Sequence, residues 1–469
     1  MTVLPVVQSG RSSARQRVWF IAALVAINTC SSIDRVATIT IGPAIKRDLA
    51  LSDLQFGLVA GFGFALFYAF LGLPIARFAD THNRVKLIAA AVSVWSIFLM
   101  LSGLARNFLH LMICRIAVGI GEAGVQPPSV SLVSDFYPPQ RRGFAIGLLA
   151  LGVPVGTLMG AVGGGYLTEV LSWRAAFLII GAPGIVLALL VWAMLRDPPR
   201  GMSDRDPSAV HASAPTLIAI ARHLRARRSF WHLMVAIGLT NLAVNGLGAF
   251  LPQYFARVSH LNLGRVGIVY GSIGAAATLV SFVFGGAVVD WISTRDGRWY
   301  VWLPALGCLL SVPLYILSFM TSSAILATVL LTLASICIFL YYTPSQVVLQ
   351  NMAQPRMRAT IAFVFFLVVG LVGVGLGPTL VGLLSDSFAA HLFTLGDYSL
   401  RCPGGVARAL TAGLDDACQS ASSAGLRYAL IGVSGISLWA ALHFLLAARN
   451  IRKDMGAFTA TPSAAESMA

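Results

Sequence analysis

The chain has 469 residues, of which 57% are hydrophobic and only 11% charged, and its mean hydropathy is +0.80. A soluble domain carries about 25% charged residues on average, so a water-exposed globular fold is excluded and a polytopic membrane bundle is implied. The formal net charge of +15 raises nucleic acid as a partner, and the placement of the basic residues decides that question.

Apolar runs of about 20 residues cross a hydrocarbon core of ~30 Å. Such runs are expected near 18–41, 54–78, 85–104, 108–131, 143–167 and 173–195, and again near 230–255, 266–291, 300–320, 323–349, 359–385 and 426–448. Pro and Gly recur inside them, as spanning helices tolerate. With the N-terminus inside, 22 Lys and Arg fall in the cytoplasmic segments and 9 on the opposite side, leaving Arg35 and Arg115 within spans. This is the positive-inside asymmetry. It predicts an inner-membrane protein with both termini cytoplasmic and speaks against nucleic acid. Arg11, Arg15 and Arg17 before the first run mimic a signal peptide, but the run is too long and eleven more follow.

The expected organisation is a cytoplasmic tail over 1–17, a six-helix bundle over 18–195, a cytoplasmic linker over 196–229, a second bundle over 230–448 and a tail over 449–469. The linker is rich in Arg, Pro, Ser, Ala and Asp. Residues 386–425 read as a long external loop carrying Cys402 and Cys418, a disulfide candidate on the side where such bonds persist. Cys30, Cys114, Cys308 and Cys337 read as small apolar packing residues.

The two halves resemble one another. The second span ends Ala76-Arg77-Phe78-Ala79-Asp80 before Arg84 and Lys86, and the eighth ends Gly286-Ala287-Val288-Val289-Asp290 before Arg295 and Arg298. Gly160, Gly165 and Glu169 in the fifth span repeat as Gly377, Gly382 and Asp386 in the eleventh. Pro-Gln-Arg-Arg-Gly at 139–143 matches Pro-Arg-Met-Arg-Ala at 355–359. The glycine-rich fifth and eleventh spans predict close helix contacts.

Enzyme chemistry finds no support. There is no P-loop, no cluster with metal-ligand spacing, and Gly119-Ile120-Gly121 lies inside a span with no strand before it. No metal or cofactor is expected.

Charges at membrane depth are costly and mark pathways for ions or solutes. Asp34 and Arg35 lie in the first span, Arg115 and Glu122 in the fourth. Arg115, Gly119, Glu122 and Gln126 share one helix face, and Pro127-Pro128 are expected to disturb that helix near its external end. Asn28, a serine at 31 or 32, and Arg35 share a face of the first helix, with Asp34 turned about 100° away. Asp34 or Glu122 can partner Arg115. A buried carboxylate beside an Arg stays ionised, and drawing the Arg away favours its protonation. Asp34, Arg115 and Glu122 are therefore the proton-coupling candidates, while Arg35 can also snorkel or pair with Asp34. Solute-contact candidates are Asn28, Arg35, Gln126, Asn241, Asn245, Tyr341 and Gln346, with Tyr68 and Tyr342 nearby in type. Asp80, Arg84, Lys86 and Asp290 are candidates for a gate at the helix ends.

This layout resembles the major facilitator superfamily over nearly the whole chain. Asp80-Thr81-His82-Asn83-Arg84-Val85-Lys86 is similar to its loop signature, although Ala76 and Asn83 stand where glycines are usual. Arg115-Ile116-Ala117-Val118-Gly119-Ile120-Gly121-Glu122-Ala123, followed by Pro127, Ser131 and Asp135, together with Asp34-Arg35, resembles the bacterial spinster-like branch. Ser399-Leu400 and Leu426-Arg427-Tyr428-Ala429-Leu430 add to that resemblance. It implies an all-α fold of twelve transmembrane helices in two pseudo-symmetric six-helix bundles, and a proton-responsive carrier with Asp34 as protonation site. It also implies alternating access for a small organic or amphipathic solute. Eukaryotic relatives export lysophospholipids and sphingolipids. The alternatives are a sugar-acid or organic-anion symporter and, in a different class, a transporter-like sensor or lipid-translocating channel. The expected partners are the solute, protons and membrane lipids, with the chain working as a monomer.

Overall fold

In lipid every backbone N–H and C=O must find an internal partner, and the helix is the local solution. The computed structural model describes residues 14–137, 139–199, 224–225, 227–293, 295–352, 358–407 and 413–456, and no strand occurs among them. Among the described residues, twelve helices are long and apolar enough to cross a membrane. In chain order they are α1 (Arg17–Asp48), α2 (Asp53–Gly72), α3 (Arg84–Ser102), α4 (Phe108–Phe136), α5 (Gly147–Val170) and α6 (Trp173–Met194). The second set is α7 (Arg228–Arg257), α8 (Leu263–Ser281), α9 (Trp299–Met320), α10 (Ala324–Met352), α11 (Val364–Leu392) and α12 (Leu414–Ala448). Several starts are fixed by side-chain caps. Asn83, Asn107, Ser172 and Ser323 each accept the backbone N–H three residues on, a contact worth about 1 kcal/mol.

The helices form two six-helix bundles. The first shares one apolar core running from Phe20 to Val191. The second is built around Phe230, Phe365 and Phe444 in one cluster and Phe250, Tyr254 and Phe319 in another. Phe56 and Ala60 of α2 belong to that last cluster, and the Phe56 ring meets Phe250 edge-on at 5.5 Å. The bundles therefore interlock at the end where α1 stops and α2 starts.

Two crossings make that interlock, α5 with α8 through Gly165 and Gly267, and α2 with α11 through Gly57, Gly61 and Gly382. A Cβ at Gly165 would lie 2.4 Å from the Leu263 carbonyl oxygen, and a Cβ at Gly382 only 2.2 Å from that of Asp53. Where α2 faces α11, both widen into π-helix, over Leu58–Phe62 and Val369–Leu376.

The segment between α11 and α12 is shorter than the sequence implies. α11 continues to Leu392 and α12 begins at Leu414, leaving 393–413 rather than 386–425. The polar residues that read as loop are helical residues with work to do. Asp386 binds the start of α2, and Asp415 accepts from the Ala407 N–H and from Gln419. The short connection holds a helical turn at Tyr398–Arg401, a 3-10 turn at Pro403–Gly405 and the Cys402–Cys418 disulfide. The break in α4 also differs in place. Its helix stops at Ala123 and restarts at Gln126 with Pro127-Pro128 in the new first turn. The break therefore lies near the middle of α4, not at the end where the helix begins. Most of the linker at 196–229 and both extreme tails fall outside the described residues.

Gly382→Val is expected to lower the thermal unfolding temperature of the detergent-purified protein by the equivalent of about 1–3 kcal/mol. Gly163→Ala, where an added Cβ meets nothing within 4 Å, is expected to leave it unchanged or slightly raised.

Candidate functional site

Four charges meet between α1 and α4 in two antiparallel pairs. Arg115 Nη1 donates to Asp34 Oδ1 at 3.0 Å, with Arg115 1% and Asp34 0% exposed. Arg35 Nε lies 3.6 Å from Glu122 Oε2, and the Arg35 side chain remains 38% exposed. Helical phase explains the crossing. Arg115 and Glu122 are two turns apart on α4, and Asp34 and Arg35 point about 100° apart on α1, so each α1 residue finds one α4 partner. The Arg35–Glu122 pair was not among the expected pairings, and it makes Arg35 a full member of the cluster.

Other groups finish the cluster. The Thr38 hydroxyl donates to Asp34 Oδ1 at 3.3 Å, and Arg35 Nη2 donates to Ser31 Oγ at 3.1 Å. Phe64 of α2 sits under both guanidinium groups, 5.6 Å from Arg115 and 6.0 Å from Arg35, where cation–π attraction adds about 0.5–2 kcal/mol each. Sequence reasoning missed Phe64, because an apolar residue in an apolar run gives no signal. Among the described residues, Asp34 Oδ2, Glu122 Oε1 and Arg115 Nε hydrogen-bond to no protein group. The two carboxylate oxygens have capacity left for a proton or a donor, and the Arg115 Nε–H for an acceptor.

The polar stripe continues one turn further along α4. Gln126 Nε2 donates to Asn28 Oδ1 at 3.3 Å, and Asn28 Nδ2 donates to the Leu149 carbonyl at 2.7 Å. Among the described residues, the second bundle offers no charges here. Tyr341 donates to Asn241 Oδ1 at 2.9 Å, and both are buried, so these two candidates are occupied with each other. Asn245 Nδ2 donates to the Asn241 carbonyl at 2.9 Å, and Gln346 bonds Tyr342. Asn245 and Gln346 stay half-buried.

The helix-end candidates separate. Arg84 is buried, and its partners lie in the first bundle and the residues just after α6, not in the second bundle. It donates to Asp197 (2.7–3.0 Å), to Ser131 Oγ (2.9 Å) and to the carboxylate of Asp135. Lys86 is exposed. The side chains of Asp80 and Asp290 lie outside the described residues.

At the opposite end a second charged cluster joins the bundles. Asp53, 2% exposed, takes Lys46 Nζ at 2.6 Å, Arg257 of α7 at 2.6 and 2.9 Å, and the Ser385 hydroxyl of α11 at 2.6 Å. Asp386 accepts the first backbone N–H groups of α2, from Asp53 (3.0 Å) and Leu54 (2.8 Å). Its repeat partner Glu169, at the end of α5, accepts the Gly264 N–H at the start of α8 (2.6 Å) and the Asn262 side chain (3.0 Å). A carboxylate at a helix N-terminus contributes about 0.3–2 kcal/mol. The sequence repeat located Asp386 and Glu169, but only the fold joins each to the other bundle. The segment between α11 and α12 covers this cluster: Gly404 packs on Ala50 and the Lys46 carbonyl, and burial pushes the Tyr398 phenol up to about 12.

Residues 24–378 match the family model described as Major Facilitator Superfamily. A bacterial homologue of the human lysosomal transporter spinster, crystallised in an inward-facing and unoccupied conformation, superposes with a TM-score of 0.87 at 33% identity, covering 94% of this chain and 99% of that one. An MFS-type efflux pump of Mycolicibacterium smegmatis is 31% identical over 80% of this chain and 86% of its own length. A probable L-galactonate transporter of Escherichia coli is 28% identical over 58% of this chain and 60% of its own. The chain belongs to the major facilitator superfamily and is a spinster-like multi-pass membrane transporter.

Proposed function

We propose that this transporter is proton-coupled and moves a small organic or amphipathic solute by alternating access between its bundles, with Asp34, Arg115 and Glu122 coupling the proton to the movement. The observation that carries the reading is the crossed Asp34–Arg115 and Arg35–Glu122 pairing, in which each carboxylate keeps one buried oxygen bound to no described protein group. The four charges balance. A solute anion that draws a guanidinium away leaves a carboxylate alone in a low dielectric, and a lone buried carboxylate is more stable protonated than charged. Solute and proton thereby report to each other through one charge balance.

Arg35, Asn28 and Gln126 on one side and Asn245 and Gln346 on the other are the solute contacts in this reading. Asn241 and Tyr341 shape the wall behind them. Asp80 and Asp290 keep the inner gate role, with Arg84 holding the inner end of the first bundle together. The protein acts as a monomer in a bacterial inner membrane, and the basic-residue count favours both termini in the cytoplasm. Asp53, Arg257, Asp386 and Glu169 hold the outer side closed. A second reading, a sugar-acid symporter, is supported by the likeness to the probable L-galactonate transporter and by the partly exposed Arg35 guanidinium, a carboxylate receptor.

In proteoliposomes, Asp34→Asn is expected to abolish accumulation driven by a pH gradient while solute counterflow persists. Unchanged gradient-driven accumulation in this variant would remove Asp34 from the coupling. Inhibition of that accumulation by hexonates rather than by amphipathic anions would select the second reading.

The outer closure has its own test. With a cysteine placed at Gln126, the pair Asp386→Asn and Glu169→Gln is expected to increase labelling by an impermeant thiol reagent from the external side by about fivefold or more, as loss of two helix-end charges predicts. Equal labelling with and without the two substitutions would show that the carboxylates do not hold that side shut.

A further inference from the structure

Lys86 differs from the charges beside it in the chain. Arg84, two residues earlier, is buried and spent on Asp135, Asp197 and Ser131. The Lys86 ammonium is exposed and, among the described residues, has no carboxylate partner; only its backbone N–H is engaged, donating to Asn83 Oδ1 at 2.8 Å.

The lysine stands at the mouth of a groove of about 270 Å³ between α3 and α6. Ala89, Ala90, Ser93 and Ala188 wall it, and their small side chains leave room that two packed helices ordinarily fill. Leu189 and Trp192 complete the lining, 60% and 63% exposed. Exposed Val94 and Ile97 on α3 and Val186 and Leu190 on α6 show that this face looks into lipid.

Depth assigns the ends of the groove. Lys86 lies in the first turn of α3, whereas Ala89 to Ser93 run roughly 5–10 Å further along the axis. An ammonium at headgroup level thus sits above an apolar slot, beside a Trp of the kind that settles at the membrane interface. A second exposed cation, Arg196, follows the end of α6. The Arg84–Asp197 pair holds that segment against the start of α3, so both cations serve the same end of the bundle.

We propose that this groove binds an anionic glycerophospholipid, with its headgroup phosphate on Lys86 and an acyl chain along Ala89, Ala90 and Ser93. Charge complementarity selects the headgroup, and the lipid-facing slot selects an acyl chain over a water-soluble anion. This site is separate from the four-charge cluster and does not depend on which solute is carried.

The test uses the full-length protein purified in detergent and titrated with phosphatidylglycerol, with phosphatidylcholine of the same acyl chains, and with inorganic phosphate. Native mass spectrometry reads retained lipid and thermal unfolding reads stabilisation. Wild type is expected to retain phosphatidylglycerol about fivefold better than phosphatidylcholine, in line with one lysine at an anionic headgroup. Lys86→Ala is expected to abolish the preference and Lys86→Arg to keep it. Ala90→Leu, which fills the slot and spares the charge, is expected to weaken retention of both lipids. Equal retention of the two lipids by wild type, or an undiminished preference in Lys86→Ala, would overturn the proposal. So would displacement of the lipid by equimolar phosphate, which would make this a free-anion site. Unfolding of each variant without added lipid confirms that it is folded.

Discussion

Charge can stay in the middle of this bundle only when an opposite charge lies against it. Removing one member of a buried pair costs about 3–5 kcal/mol, because the other is stranded. The 3.0 Å contact between Arg115 and Asp34 therefore constrains much of the first bundle. It holds α1 and α4 at one register, which brings Arg35 to Glu122 and sets Phe64 under both guanidinium groups. The cluster is neutral as a set, so any proton or anion that enters changes the balance of every member.

The contacts that join the bundles at the Asp53 end use a different principle twice. Asp386 and Glu169 occupy equivalent places in the two halves, and each accepts backbone N–H groups at the start of a helix in the opposite bundle. Before each capped helix the chain turns through a left-handed non-glycine residue, Ala50 after α1 and His260 after α7. The repeat stops there. Asp53 adds an ion cluster with Lys46 and Arg257 to one crossing, while the corresponding start of α8 is an uncharged Leu263. The α2–α11 crossing thus carries charge locked by charge, and the disulfide-bearing segment lies over it.

Most of the fold was legible because membrane depth turns composition into length: twelve apolar runs became twelve spans. The four intramembrane charges were legible for the same reason, since each violates a steep rule. What stayed hidden was pairing across elements distant in the chain. Helical phase put Arg115 and Glu122 on one face, but only packing decided that Arg115 takes Asp34 and that Glu122 takes Arg35. The reading of 386–425 as loop failed because polar residues at helix ends look like loop until their partners are known. Arg84 read as a gate charge, yet its partners Asp135 and Asp197 lie outside the second bundle.

The two bundles are alike in path and unlike in chemistry. Among the described residues, the fully buried charges within spans all belong to α1, α2, α3 and α4. The matching depth of the second bundle holds neutral pairs, Tyr341 with Asn241 and Tyr315 with Ser335. A neutral hydrogen bond changes little when a proton or an anion arrives nearby, whereas an ion pair in low dielectric responds strongly. The second bundle is therefore suited to present a fixed wall, and the first to sense occupancy. The helix caps run from each bundle into the other, so the sensing bundle and the wall are tied together at the Asp53 end and again at Glu169.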